Sequence, residues 1–472
     1  MKKTIIKNSQ ILYGEELEVI QKGAIIINEH GIIEKVVRKS KELEYDMLGS
    51  SSTATKTEIS IIDAEGFVII PGFINSHTHI GDSIGKDIAA NLDLNKRIHP
   101  HYGIKKTILE KTPVNYLIQM MRNAALSMLY KGITTFVDFR EGGLEGINLM
   151  QKATRDLPIK RIVLGRIDFN DKYYYKSTEG YRNSNNKQGN STGNNKIPSF
   201  YQQKMHKNRI KNKENKKEEQ ERNIIDIGNK ILEKCEGFGI SGANEYTDLM
   251  LSLYRKIVHD INLKNLNTNR SRKSLLAIHA AEAQSTVEDS IKKYKKTEIK
   301  RTLQLLDPDI YIHVTNPTKS DLRLLHKRRK KIIVCPRANG ILGVGLGPIK
   351  KMLELDFLLG IGTDNIMLNS PDMFKEMDFL IKSQRAIEKN TMFLKPKDIL
   401  KMATVNGGKI FNLNTGCIKK GYLADLLFID RYDLDLYPLF DLHMALVSRC
   451  TEKQVKAVMI NGKLTSGSIP FD

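Results

Sequence analysis

Hydrophobic positions along the 472-residue chain fall into two styles. Over the first 70 residues, runs rich in Ile and Val (TIIKNSQILYG, GAIIINEHGIIEKVV, EISIIDAEGFVIIPGFI) are punctuated at Gly23, Gly31 and Gly66. Short β-rich runs between turn residues predict a small antiparallel β-unit. The end of the chain repeats that style in GCIKKGYLADLLFID and QVKAVMINGK. From Gly72 to Asn412 the pattern changes to eight continuous apolar runs: GFINSHTHI, GITTFVDF, RIVLGRID, EGFGISGANEY, LLAIHAAE, DIYIHVTN, KIIVCPRAN and LLGIGTDN. Most lead, after a loop, into amphipathic stretches of helical period such as VNYLIQMMRNAALSMLYKG and YTDLMLSLYRKIVHDI. Eight strands buried on both faces, each followed by a helix, predict an α/β fold of the (β/α)8 barrel type, with a doubly wound open sheet as its rival. The predicted organisation is a composite β-sandwich from residues 1–70 and 413–472, flanking a barrel over 71–412.

One segment does not fit. Residues 172–222 are rich in Asn, Lys, Ser and Gln, as in YRNSNNKQGNSTGNNK, and so poor in apolar side chains that a disordered basic insertion between the third and fourth strands is expected. Lys and Arg number 75 against 54 Asp and Glu, a formal net charge of +21. This balance permits a nucleic-acid partner without requiring one, and the tyrosines of the insertion gather toward its start instead of interleaving with its basic residues, so base stacking is weakly supported. Hydrophobic residues make up 40% of the chain, but no run approaches the roughly 18 apolar residues of a membrane span. The N-terminus carries no signal-like apolar run, and Cys235, Cys335, Cys417 and Cys450 stand singly, so reduced thiols and a cytoplasmic location are expected.

In a barrel, chemistry belongs to the C-terminal ends of the strands. The first ends in Asn75-Ser76-His77-Thr78-His79, whose two imidazoles, two residues apart, project the same way. The fifth ends at His279, the sixth at His313 and the eighth at Asp364. Imidazoles with a carboxylate suit one divalent ion, zinc first and iron as the alternative, with water completing its shell. His99 and His101 also form an H-x-H pair, but a central proline and the lack of an apolar strand mark it as loop.

PGFINSHTH, HAAE, IHV, VCPRANGILGVGLGPIKKML and GIGTDN together resemble the signature of the amidohydrolase superfamily, in the branch of cytosine, guanine and adenosyl-type deaminases and triazine chlorohydrolases. The resemblance implies that His77, His79, His279 and Asp364 hold the metal, that Glu282 handles protons, and that His313 hydrogen-bonds the attacking water or the substrate. The fourth strand has no lysine to carry a bridging carboxylate, so a single metal is expected. The implied reaction is attack of a metal-activated hydroxide on a ring carbon bearing an amino group, with Asp364 accepting a proton from the water and ammonia leaving. Thioether-nucleoside deaminases have a histidine after strand four where GISGANEYTD has none; Glu245 or Tyr246 stands there.

Further residues proposed to read the substrate are Arg140 and Glu141 after strand two, Asp82 near His79, and Arg337 and Asn339 after strand seven. The leading expectation is a metal-dependent hydrolase deaminating an amino-substituted heterocycle. Hydrolysis of a cyclic amide or a C–Cl bond at the same site is the enzymatic alternative, and a basic RNA-associated protein the non-enzymatic one. The expected partners are a small-molecule substrate and further copies of the chain, with no membrane and with nucleic acid disfavoured.

Overall fold

The computed structural model describes residues 2–39, 58–88, 90–92, 96–97, 103–168, 199–267 and 273–467. Five strands open the chain: β1 (Lys2–Tyr13), β2 (Glu18–Ile27), β3 (Ile33–Val37), β4 (Glu58–Asp63) and β5 (Phe67–Pro71). They join three from the C-terminal segment, β15 (Leu426–Asp430), β16 (Val455–Ile460) and β17 (Lys463–Gly467), in the order β17-β16-β15-β5-β1-β2-β3. Long β1 is the pivot. Its first half pairs with β4 and its second with β5, both in parallel, whereas its contact with β2 is antiparallel. Ile6, Ile25, Ile62, Ile69, Leu426, Phe428 and Met459 from these strands bury into one core, so the sheet folds over itself into a sandwich. Gly23, expected as a break, instead lies inside β2 opposite irregularities in β1. A side chain there would meet Ile11, Ile20 and the Val37 carbonyl, each at 2.8 Å.

The middle of the chain forms β6 (Phe73–His79), β7 (Ile133–Arg140), β8 (Lys160–Gly165), β9 (Gly237–Ile240), β10 (Leu275–Ala280), β11 (Ile310–His313), β12 (Lys331–Val334), β13 (Leu359–Ile361) and β14 (Asp364–Asn365). All pair in parallel in chain order. β13 and β14 are two pieces of one eighth strand: β13 pairs with β12 and β14 with β6, which closes the barrel. The interruption lies at Gly362-Thr363, where a Cβ on Gly362 would sit 2.6 Å from His77 Cβ. The seam is tied by Asn75, whose amide donates to Thr363 Oγ1 at 2.7 Å and whose carbonyl accepts the Thr363 N–H at 3.0 Å.

Residues 199–222, expected to lack structure, belong to a helix, Ser199–Leu232, that follows the third barrel strand. The physical reason lies at its C-terminal end. Ile231 and Leu232 are buried, and Ile224, Ile225 and Ile227 pack on the same core, so tertiary contacts supply the nucleus. The Lys-, Glu- and Gln-rich stretch before them has good helix propensity and extends it. The rest of the proposed insertion, and the His99 and His101 pair, lie outside the described residues. Among the described residues no helix is long and apolar enough to cross a membrane.

Candidate active site

The strand ends bring His77, His79, His279 and Asp364 together, with one ligand atom of each within 4.8 Å of the others. His77 Nε2 lies 3.2 Å from Asp364 Oδ1 and 3.1 Å from His279 Nε2, and His279 Nε2 lies 3.4 Å from His79 Nε2. The tautomers follow from the other ring nitrogens. His279 Nδ1 faces the Ile240 carbonyl at 2.9 Å, and His79 Nδ1 faces the Phe139 carbonyl at 3.2 Å and Glu141 Oε1 at 3.0 Å. These partners only accept, so both Nδ1 atoms carry the proton and both Nε2 atoms present lone pairs. Burial keeps the rings neutral: it takes His79 down to about 3, helped by the Lys105 charge, and holds His279 well below its usual range, helped by the neighbouring imidazoles. Burial alone would raise Asp364, but the hydrogen bond with His77 and the surrounding imidazoles outweigh it and hold the carboxyl far below the carboxylate range. Lone pairs aimed at one another beside an anion, in a water-poor site, fit a divalent cation.

Behind His79 stands a buried charge network. Glu141 accepts from His79 on one side, from Lys105 Nζ at 2.6 Å and from Arg140 Nη2 at 2.6 Å. Burial would raise its carboxyl, but Lys105, Arg140 and His79 together drive it well below the ordinary value. Lys105 also reaches Asp82 at 3.1 Å, and Asp82 accepts from Asn365 Nδ2 at 2.6 Å and from the Met367 N–H at 3.1 Å. Of the residues expected to read a substrate, Arg140 and Glu141 line the cavity while bonded to each other, and Glu141 and Asp82 also hold His79 and the loop after Asp364. Carboxylates that accept from a ligand imidazole fix its tautomer and ring orientation.

His313 shows how backbone geometry aims a side chain. Alternation along β11 would put it on the face of Tyr311, whose hydroxyl meets Thr302 Oγ1 at 3.0 Å in the surrounding helix Glu298–Leu305. A left-handed φ of 70° at His313 turns the ring inward, and Asp364 has a φ of 61°. Non-glycine residues in that region store strain of order 1–3 kcal/mol, a cost concentrated at functional sites. His313 Nδ1 donates to Asn339 Oδ1 at 2.9 Å, while Asn339 Nδ2 donates to Thr315 Oγ1 at 2.9 Å. His313 Nε2 is thereby left facing Glu282 Oε1 at 3.7 Å and Asp364 Oδ2 at 3.9 Å. Burial and the Asp364 charge push the Glu282 carboxyl up to about 8.

These groups share a cavity of about 460 Å³, lined also by Arg166, Glu245 and Tyr246 and, on an apolar flank, by Leu117, Met121 and Leu149. Two residues expected among the substrate contacts do not line it. Asn339 is spent on His313, and Arg337 turns to Asn369 Oδ1 at 3.2 Å, the Ser370 carbonyl at 3.2 Å and Glu376 at 3.5 Å. Lys105 escaped the sequence reading because a lysine in IKKTILEK reads as a solvated face. Arg166 carried a usable signal, because it follows the third strand at the same C-terminal rim that drew attention to His279.

The family model described as Amidohydrolase family matches residues 68–465. A putative aminohydrolase of Methanothermobacter thermautotrophicus is 31% identical over 464 residues, 98% of this chain and 99% of that protein. A 5-methylthioadenosine/S-adenosylhomocysteine deaminase of Pyrococcus furiosus is 26% identical, covering 98% and 94%. Among solved structures, an adenosine deaminase from Xanthomonas campestris with bound zinc superposes with a TM-score of 0.73 at 18% identity, covering 98% of this chain and 93% of that one.

Proposed function

Because the chain belongs to the amidohydrolase family, we propose that it is a hydrolytic deaminase of an amino-substituted heterocycle, working in the cytoplasm with one zinc ion held by His77, His79, His279 and Asp364. The observation that carries the reading is the convergence of imidazole lone pairs and the Asp364 carboxylate on one point, beside a second carboxyl, Glu282, that is not part of that group. The deaminase names of the relatives support it, as does the zinc in the related adenosine deaminase.

A divalent ion in such a site supplies Lewis acidity that makes water nucleophilic near neutral pH. The protein's own groups do the rest. Asp364 takes one proton from the water as its oxygen adds to the ring carbon, and Glu282, protonated in its buried setting, delivers a proton to the adjacent ring nitrogen. His313, fixed by Asn339 with Nε2 turned to the centre, orients the adding oxygen. The C–N bond then breaks, the amino group leaves as ammonia with the proton held by Asp364, and the new hydroxyl returns its proton to Glu282 as the carbonyl forms.

The test is metal analysis with ammonia release. The purified protein is expected to carry close to one divalent ion per chain, and His77→Ala or Asp364→Ala to lose both the ion and turnover. Full activity without metal would overturn the reading.

A further inference from the structure

The cavity holds polar groups that the metal and proton chemistry leave unused. Arg166 lines it, partly buried, and among the described residues its guanidinium makes no hydrogen bond or ion pair. Glu245 lines the same wall at the end of the fourth strand's loop, and its Oε2 is buried without a hydrogen-bond partner. The two lie close enough to feel each other's charge but do not meet as an ion pair. A buried acceptor and an unpaired guanidinium across a gap cost free energy unless a ligand fills it.

We propose that Arg166 and Glu245 are a specificity pair that reads a lactam edge on the substrate, an N–H beside a carbonyl, with Glu245 accepting from the N–H and Arg166 donating to the carbonyl oxygen. This rests on the deaminase reading of the site. Position favours a ring edge over a flexible tail. Both residues line the cavity that also holds His79, His279, Glu282 and Asp364, so the pair shares a pocket with the reacting centre. The donor set matches as well. An ionised Glu245 and the Arg166 guanidinium offer one acceptor and one donor with no net charge, which suits a neutral amide edge. Burial raises the Glu245 carboxyl to about 7 against the lowering effects of Ser241 and Arg166, and an N–H donated by the substrate would favour its ionised, accepting form. The substrate class is thus an aminoheterocycle whose edge opposite the amino-bearing carbon carries N–H and C=O side by side. That feature separates it from the adenine ring.

The test compares ring pairs that differ only at that edge, using the metal-loaded full-length protein. Cytosine is set against 1-methylcytosine, which lacks the N–H, and 8-oxoadenine against adenine, which lacks the carbonyl, with 5′-deoxyadenosine as a nucleoside control. Ammonia release from the lactam member of each pair is expected to exceed that from its partner at least tenfold in kcat/KM, since a site built to bond a polar edge rejects the analogue lacking it. Arg166→Met and Glu245→Leu are expected to erase that preference, chiefly through KM, with metal content unchanged; Arg166→Lys, which keeps the charge and removes the planar fork, should retain part of it. Equal turnover of the paired rings, faster turnover of 5′-deoxyadenosine, or a preference that survives both variants overturns the specificity pair while the deaminase reading stands. No ammonia from any ring, with one metal per chain, overturns that reading and the inference with it.

Discussion

Glu282→Gln isolates the proton carrier. The carboxyl is only 14% exposed, and its pKa of about 8 against an ordinary 4.5 comes from burial first and the Asp364 charge second. A shift of that size disfavours the ionised form by about 5 kcal/mol, at roughly 1.4 kcal/mol per unit, so in the metal-free protein at pH 7 the protonated form dominates about tenfold. A cation in the neighbouring site would draw the value down, which makes 8 an upper bound. Activity should therefore fall as pH rises through the Glu282 pKa, with an alkaline limb in kcat/KM at or below about pH 8. Gln keeps the size and removes the titrating proton, so the variant should lose that limb and roughly 10² to 10⁴ in rate, the usual contribution of a positioned acid, while keeping its metal. Stability has a matching sign. A carboxyl raised in the folded state holds its proton after the unfolded chain has lost it, so the metal-free parent should lose stability as pH climbs from 4.5 toward 8, and the Gln variant should lose less. The assay is ammonia release against pH with parallel metal analysis and urea melts. A variant at parental rate, or one that arrives without metal, would refute the assigned role.

Lys105→Met should leave Asp82 and Glu141 without their shared cation, costing about 3–5 kcal/mol in a denaturant titration and lowering metal affinity roughly 10- to 100-fold through a less well held His79. Asn339→Leu strands the His313 Nδ1–H; a loss of about 1–3 kcal/mol is expected in urea melts, with metal retained and turnover reduced. Ile231→Ala, at a fully buried position near the end of the helix Ser199–Leu232, should cost about 2–5 kcal/mol by thermal and urea melts. A change under 0.5 kcal/mol there would mean that the helix does not dock on the barrel core.

The strand-end histidines and Asp364 were legible in the sequence because the information is local and periodic. A short apolar run announces a buried strand, a barrel puts its chemistry at one end of every strand, and that rule reaches His77, His79, His279, His313 and Asp364 from spacing alone. The helical half of the polar insertion was not legible by the same logic. Composition reports the propensity of a segment to bury itself, whereas the helix Ser199–Leu232 is held by isoleucines at its far end docking on residues remote in sequence. Tertiary structure alone decided the division of labour among the polar residues. Arg140 and Arg337 look alike in sequence, yet Arg140 is held at the cavity by its neighbour Glu141 and by Met121 Sδ, 19 residues away on a helix, whereas Arg337 is turned to Glu376, 39 residues away, outside the cavity lining. Lys105 became part of the centre only when the loop after the first strand brought it against Asp82 and Glu141. Sequence determines which side chains a strand can offer and at which end of the barrel; the long-range packing of charges in a low dielectric determines which of them bind, which support, and which stay open for a ligand.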